Sequence, residues 1–158
     1  MPLPYPDPSN DFLCDHARLL RTSHRHLTGR DLIDPGVDDR EAARRLFAAP
    51  FALLSHTADP DPILTYGNRI VLDLFELDWE TLTRMPSRLT AEAPDREARA
   101  RLLAQVTANG FIDHYSGVRV SSSGRRFRIE SAVVWNLIDQ EGRQLGQAAT
   151  FEHWQPLG

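Results

Sequence analysis

An antiparallel sheet covered on one face by helices and preceded by an N-terminal helical extension, an α+β fold, is the architecture this sequence predicts. Three observations carry the prediction. Apolar residues recur at helical spacing in two segments before residue 50; two short strand-like runs and several helical segments follow as far as Gly110; from residue 111 onward the apolar period drops to two. The order strand, strand, short helices, long helix and three-stranded meander confines the core helices to one side of an antiparallel sheet. With 158 residues, 41% of them hydrophobic, the chain can fill one main core and is too apolar to remain disordered.

Pro2, Pro4, Pro6 and Pro8 impose an extended entry. Ser9 or Asn10 is the expected cap of a helix over residues 10–28. Phe12, Leu13, Leu19, Leu20 and Leu27 form its apolar stripe, and His16, Arg21 and Arg25 share the remaining, solvent-facing surface. After the Asp34-Pro35-Gly36 breaker a second helix carries Ala43, Leu46 and Phe47 and stops before Pro50. Residues 51–59 and 63–66 read as strands joined by an Asp-Pro-Asp-Pro turn. Asn68 stands where it can cap a helix through the amide of Val71, and Asp78 where it can cap a shorter one holding Trp79 and Leu82. Pro94 and Asp95 open a long helix that ends at Asn109-Gly110, with Ala98, Leu102, Leu103 and Val106 as its buried face. Strands are expected at 111–121, 125–138 and 143–154, the middle one with Phe127, Ile129, Ser131, Val133, Trp135 and Leu137 on one face and Arg126, Arg128, Glu130 and Asn136 on the other. The resulting division is an arm and two-helix extension at 1–50, a core at 51–154 and a tail at 155–158.

Every basic residue is arginine. The missing lysine excludes Schiff-base, phosphate-loop and kinase-type lysine chemistry, and a permanently protonated guanidinium does not replace it. Net charge is −4, and both the first 50 residues and the remainder are mildly acidic, so a nucleic-acid partner is not expected. The single cysteine, Cys14, allows no internal disulfide and no multi-thiolate zinc site, which fits a reducing, cytoplasmic compartment. There is no apolar run of membrane-spanning length, and no membrane association is expected.

This order of elements is that of a PAS domain, and the residues go further. The stretches 66–92, 111–139 and 146–151 closely resemble the MEKHLA domain family, and the runs Ser116-Gly117-Val118-Arg119 and Trp135-Asn136 are the most specific. The resemblance covers about residues 10–154. In plants the family sits at the C-terminus of homeodomain leucine-zipper transcription factors, and bacteria have it as small stand-alone proteins, the kind this chain resembles. The resemblance implies a PAS-like sensor or interaction domain, responsive to small molecules, redox state or light, that signals by changed conformation or oligomeric state without catalysis. With no basic region and no leucine heptads here, DNA binding does not carry over. A homodimer and a separate effector protein are the expected partners.

His56, Tyr66, Asn68, Trp79, His114, Tyr115, Arg119, Trp135, Asn136 and Gln147 are the candidates for lining a ligand cavity between sheet and helices. The ligand itself is unknown. A covalent flavin adduct would need a cysteine near residues 79–92, and a haem ligand from the long helix would need a histidine there; neither exists, so neither is expected, which leaves a non-covalent flavin or another flat ligand open and only the strand residues His56, His114 and His153 as iron ligands. His24 and His26 point about 200° apart on a helix and do not chelate together. Ser55 and His56, neighbours on a strand, face opposite sides and form no triad with Asp59. Two other classes remain: a small cone-shaped isomerase or hydratase using interior His114 with Asp113 or Asp59, and an interaction module with a filled core. Sheet order separates them, because the PAS order sets the first strand beside the last meander strand and the second at the edge.

Overall fold

The structure, a computed structural model, describes residues 2–158. Asp7, instead of Ser9 or Asn10, caps the first turn. Its carboxylate accepts from the Ser9 amide at 2.8 Å while the Asn10 side-chain oxygen accepts from the Asp7 amide at 3.1 Å, closing a 3-10 turn at Pro8–Asn10. Asp11, Phe12 and Leu13 then adopt left-handed φ of 54°, 54° and 58°, so the helix predicted from residue 10 begins only at Cys14 (α1, Cys14–Thr28). Helix α2 (Asp39–Phe47) is capped by Asp38. The arm folds back over the domain: Trp79 Nε1 donates to the Leu3 carbonyl at 2.8 Å, and Tyr5 meets Phe47 edge-on at 5.4 Å.

Strands β1 (Ala52–Thr57) and β2 (Leu64–Gly67) form the predicted hairpin. Asn68 and Asp78 cap α3 (Arg69–Phe75) and α4 (Trp79–Leu82), as the sequence requires, and α5 (Ala93–Asn109) carries Pro94 in its first turn. The meander is β3 (Phe111–Val120), β4 (Arg126–Ile138) and β5 (Gln144–Phe151). Sheet order is β2-β1-β5-β4-β3, all antiparallel, with β1 beside the last meander strand and β2 at the edge. The fold is therefore PAS-like.

Four details depart from the sequence reading. The single strand expected at 143–154 is two: the chain bends at Glu152, and β6 (His153–Leu157) pairs with the first half of β4, an edge position that tolerates Pro156. The face expected along β4 switches at Ser131, whose φ is 53°. Phe127 and Ile129 share a side with Ala132 and Val134, whereas Val133, Trp135 and Leu137 turn to the opposite one, as an inserted bulge residue requires. On α5 the buried stripe is Arg99, Leu102 and Val106, with Ala98 exposed, because seven residues before Val106 is Arg99. His24 is buried instead of solvent-facing; its Nδ1 donates to the Arg30 carbonyl at 2.8 Å and its ring meets Trp135 at 4.8 Å. His26 stays exposed.

Helices α3 and α5 thus cover one sheet face, packing Val71, Phe75, Leu102 and Val106 against Phe127, Ile129 and Val134. The extension, whose side the sequence left open, lies on the other. There α1 and α2 bring Leu20, Leu46 and Phe47 onto Leu53, Tyr66, Trp135 and Leu137, each full burial worth about 1.5–3 kcal/mol. Ser23 fastens α1 to the sheet, accepting from the Ile138 amide at 3.0 Å and donating to its carbonyl at 3.3 Å. Strands β1 and β5 approach so closely at Gly146 that a Cβ there would lie 2.1 Å from the His56 carbonyl oxygen. Gly146→Ala is therefore expected to force the two strands apart and destabilise the fold by about 1–3 kcal/mol, read as a lower urea midpoint. An unchanged midpoint would contradict that packing.

Candidate functional site

Between α3, α5 and the inner faces of β1, β4 and β5 lies a cavity of about 60 Å³, room for a few waters or a small organic group. Its walls are Leu54, Leu64, Phe75, Leu102, Val134 and Phe151, and its polar lining comes from His56, Thr90, Arg99, Tyr115, Arg119 and Gln147.

Strand alternation turns His56 inward while Ser55 faces α1, where its hydroxyl lies 2.9 Å from His16 Nε2 and 2.8 Å from Thr65 Oγ1. His56 Nε2 is 3.0 Å from Gln147 Oε1. An amide oxygen only accepts, so Nε2 carries the hydrogen and Nδ1 is a free acceptor. Burial, with a smaller contribution from the positive charge of Arg99, pushes the imidazole down to about 4, so it is neutral at physiological pH. The two hydrogens of the Gln147 amide are shared among Leu103 O at 3.1 Å, Thr107 Oγ1 at 3.0 Å and Asn136 Oδ1 at 3.1 Å, while Asn136 donates to Val106 O at 3.0 Å. This ladder ties the inner faces of β4 and β5 to the last turns of α5.

Arg119 lies on β3 with its guanidinium 5.5 Å over the Tyr115 ring, donating to the Tyr115 hydroxyl at 3.2 Å and to the Val118 carbonyl at 2.9 Å. Gly117 makes this possible, since a Cβ there would stand 2.3 Å from the Tyr115 hydroxyl oxygen. The Ser-Gly-Val-Arg run thus has a local packing reason. Arg99 reaches in from α5 and donates to Ser87 Oγ at 2.8 Å. Burial first, and the neighbouring charge of Arg119 second, lower its pKa to about 10. It remains a cation at pH 7.

The structure brings four of the ten candidates together on the cavity: His56, Tyr115, Arg119 and Gln147. Asn136 stands directly behind Gln147. Tyr66, Trp79 and Trp135 pack on the other side of the sheet with the N-terminal helices. Asn68 is fully buried as a junction, with Oδ1 accepting from Leu53 and Val71 amides and Nδ2 donating to Leu46 and Phe51 carbonyls. His114 is surface-bound, its side chain 83% exposed and 3.9 Å from Asp113, so the interior acid–base pair of the cone-shaped enzyme does not form. Arg99 and Thr90 are the polar cavity side chains the sequence reading missed, along with the apolar walls. Heptad spacing from Val106 is the signal that locates Arg99.

A family model described as the MEKHLA domain matches residues 14–156. The homeobox-leucine zipper protein ATHB-9 of Arabidopsis thaliana is 26% identical over an alignment of 145 residues that covers 87% of this chain and 17% of that protein. The homeobox-leucine zipper protein HOX29 of Oryza sativa subsp. indica is 27% identical over 128 residues, 79% of this chain and 15% of that one. The chain thus spans about a sixth of the length of these curated relatives. Among solved structures, the PAS domain of a protein from Colwellia psychrerythraea superposes with a TM-score of 0.63 at 13% identity, covering 75% of this chain and 95% of that one. The dark structure of the blue-light photoreceptor Aureochrome1 LOV gives 0.56 at 18% identity, covering 82% and 89%.

The cavity does not fit a covalently held flavin of the light-oxygen-voltage kind. Cys14 packs with the outer-face cluster, across the sheet from the cavity. A volume of about 60 Å³ is also far below the roughly 300–1,000 Å³ of cofactor-sized pockets.

Proposed function

We propose that this chain, which belongs to the MEKHLA domain family, is a PAS-like sensory and regulatory domain whose working part is the cavity between α5 and the sheet. It binds a small molecule there and answers by a change of conformation or partnering, without turnover. One observation carries this reading: a cavity with apolar walls and convergent polar groups underlies the strands that carry the N-terminal helices on their other face. Occupation of the cavity changes the packing of β4 and β5, and α1 rests on β4 through Trp135 and Ser23.

A separate effector protein and a second copy of the chain are the partners in this proposal. Because the apolar stripe of α1 already lies on the sheet, a homodimer would use another surface. The stand-alone, cytoplasmic form belongs to the same proposal. Among the described residues no helix is long and apolar enough to cross a membrane.

The test is a native mass spectrum with an absorption spectrum of the protein purified from its own host. The expected result is a chain of 17.9 kDa, or twice that, carrying additional small-molecule mass. A bare mass, together with a melting temperature that no small molecule shifts, would replace the sensor with an interaction module.

A further inference from the structure

Among the described residues, 13 of the 18 arginines pair with a carboxylate; Arg69, Arg96 and Arg128 do not but keep contact with water, whereas Arg99 and Arg119 are both unpaired and buried. On the surface, Arg18 and Arg21 both reach Asp39, Arg44 and Arg45 both reach Glu41, and Arg126 reaches Glu92 at 2.7 Å. The two buried arginines, Arg99 and Arg119, are 9% and 8% exposed and have no carboxylate within 4 Å among the described residues. Both line the same cavity. Taking a cation out of water is unfavourable unless an anion and hydrogen bonds replace the lost hydration, and here two cations are buried with only neutral partners.

The hydrogen-bond inventory points the same way. A guanidinium has five N–H donors. Arg99 donates to Ser87 Oγ alone, and Arg119 to the Val118 carbonyl and the Tyr115 hydroxyl. Donors on both groups are left over. The remaining polar groups add no negative charge: His56 is neutral, Gln147 is engaged in its ladder, and Thr90 donates to the Ser87 carbonyl at 2.7 Å. Arg99, Leu103 and Gln147 also line a groove opening outward beside the β1–β2 turn, whose mouth mixes Arg88 and Arg96 with Asp59, Asp61 and Glu97.

Resting on the sensor reading above, we propose that the cavity ligand is a small monocarboxylate with a short apolar body. The carboxylate lies between Arg99 and Arg119, whose planar forks match it, and the apolar body lies against Leu54, Leu102, Val134 and Phe151. The small volume excludes long chains, and the aliphatic walls disfavour a bare inorganic anion.

The experiment is thermal denaturation and calorimetry of the full chain with propionate, butyrate, butyramide and inorganic phosphate as probes. Butyrate is expected to raise the melting temperature in a concentration-dependent way and butyramide to leave it unchanged. Arg99→Met and Arg119→Met are each expected to weaken butyrate at least about tenfold, and to melt no lower than the parent without ligand, because each removes an unpaired buried charge. Arg99→Gln serves as a second replacement at that site if Arg99→Met does not fold. An equal shift with butyramide, or a butyrate shift that persists in the arginine variants, would overturn the carboxylate while leaving the small-molecule sensor standing. A larger shift with phosphate would reassign the pair to a phosphoryl anion. No shift with any probe, while purified protein retains another small molecule, would also sink the carboxylate alone; a bare protein that no molecule shifts would sink the sensor with it.

Discussion

Asn68→Ala is expected to lower unfolding stability by about 3–5 kcal/mol, enough to leave a domain of ordinary stability barely folded. The side chain is wholly buried and all of its bonds go to backbone. Oδ1 accepts from Leu53 N at 3.2 Å and Val71 N at 3.3 Å, and Nδ2 donates to Leu46 O at 3.1 Å and Phe51 O at 2.8 Å. One amide thereby joins the end of α2, the start of β1 and the first turn of α3. Truncation leaves buried donors and acceptors without partners and opens a cavity too. Asn68→Asp fares no better, because a carboxylate facing the Leu46 and Phe51 carbonyls sets oxygen against oxygen. Urea unfolding followed by circular dichroism measures the loss, and a change under about 1 kcal/mol would show that the junction is dispensable.

Acid is expected to unfold this protein earlier than its carboxylates alone would require. His16 and His56 both ionise near 4 in the fold, lowered by burial from an ordinary value of 6.5. Between those values the unfolded chain takes up protons that the folded chain refuses. Stability is therefore full above pH 6.5, declines as pH falls toward 4, and levels off below for these groups. For His56, 7% exposed, the span corresponds to a loss on the order of 3 kcal/mol. Glu41, held at about 2 by its bonds to Arg44 and Arg45, adds its own loss only as pH falls below its ordinary value of 4.5, at the lower edge of this window. Urea midpoints at pH 7, 6, 5 and 4.5 trace the decline, and His56→Gln, which can still donate toward Gln147, should make it shallower, leaving the part that belongs to His16. An equally steep decline in that variant would remove His56 from the account.

The elements that announce themselves locally were legible in the sequence: Asn68 and Asp78 as caps, Pro94 and Gly110 as helix limits, and the two-residue period of the meander. The order of those elements led to the right sheet. What stayed hidden depends on partners distant in sequence. Ser131 reads as one more alternating residue, because nothing local distinguishes a serine at φ 53° from an extended one. Glu152 reads as continuous strand, because its bend is set by pairing between β6 and β4. His24 and Arg99 read as solvated because histidine and arginine usually are, and their burial follows from Trp135 and from the cavity. The ring of His16 is hidden for the same reason, lying 5.6 Å from Tyr66. On the cavity, Arg119 stood out as a charge among apolar strand residues; Arg99, on a helix rich in arginine, did not.

Strand alternation, in the phase set by the bulge at Ser131, fixes how far a stimulus must travel in the proposed sensor. Val134 touches the cavity, and Trp135, the next residue, touches α1. In the proposed sensor, input and output are consecutive residues of one strand, separated by the thickness of a single sheet. A rotation of β4 about its own axis moves both at once and in opposite senses, like the two ends of a rocker. No chain of intermediaries is needed, and a substitution that stiffens this one turn of strand would silence the response while leaving both the cavity and the helices intact.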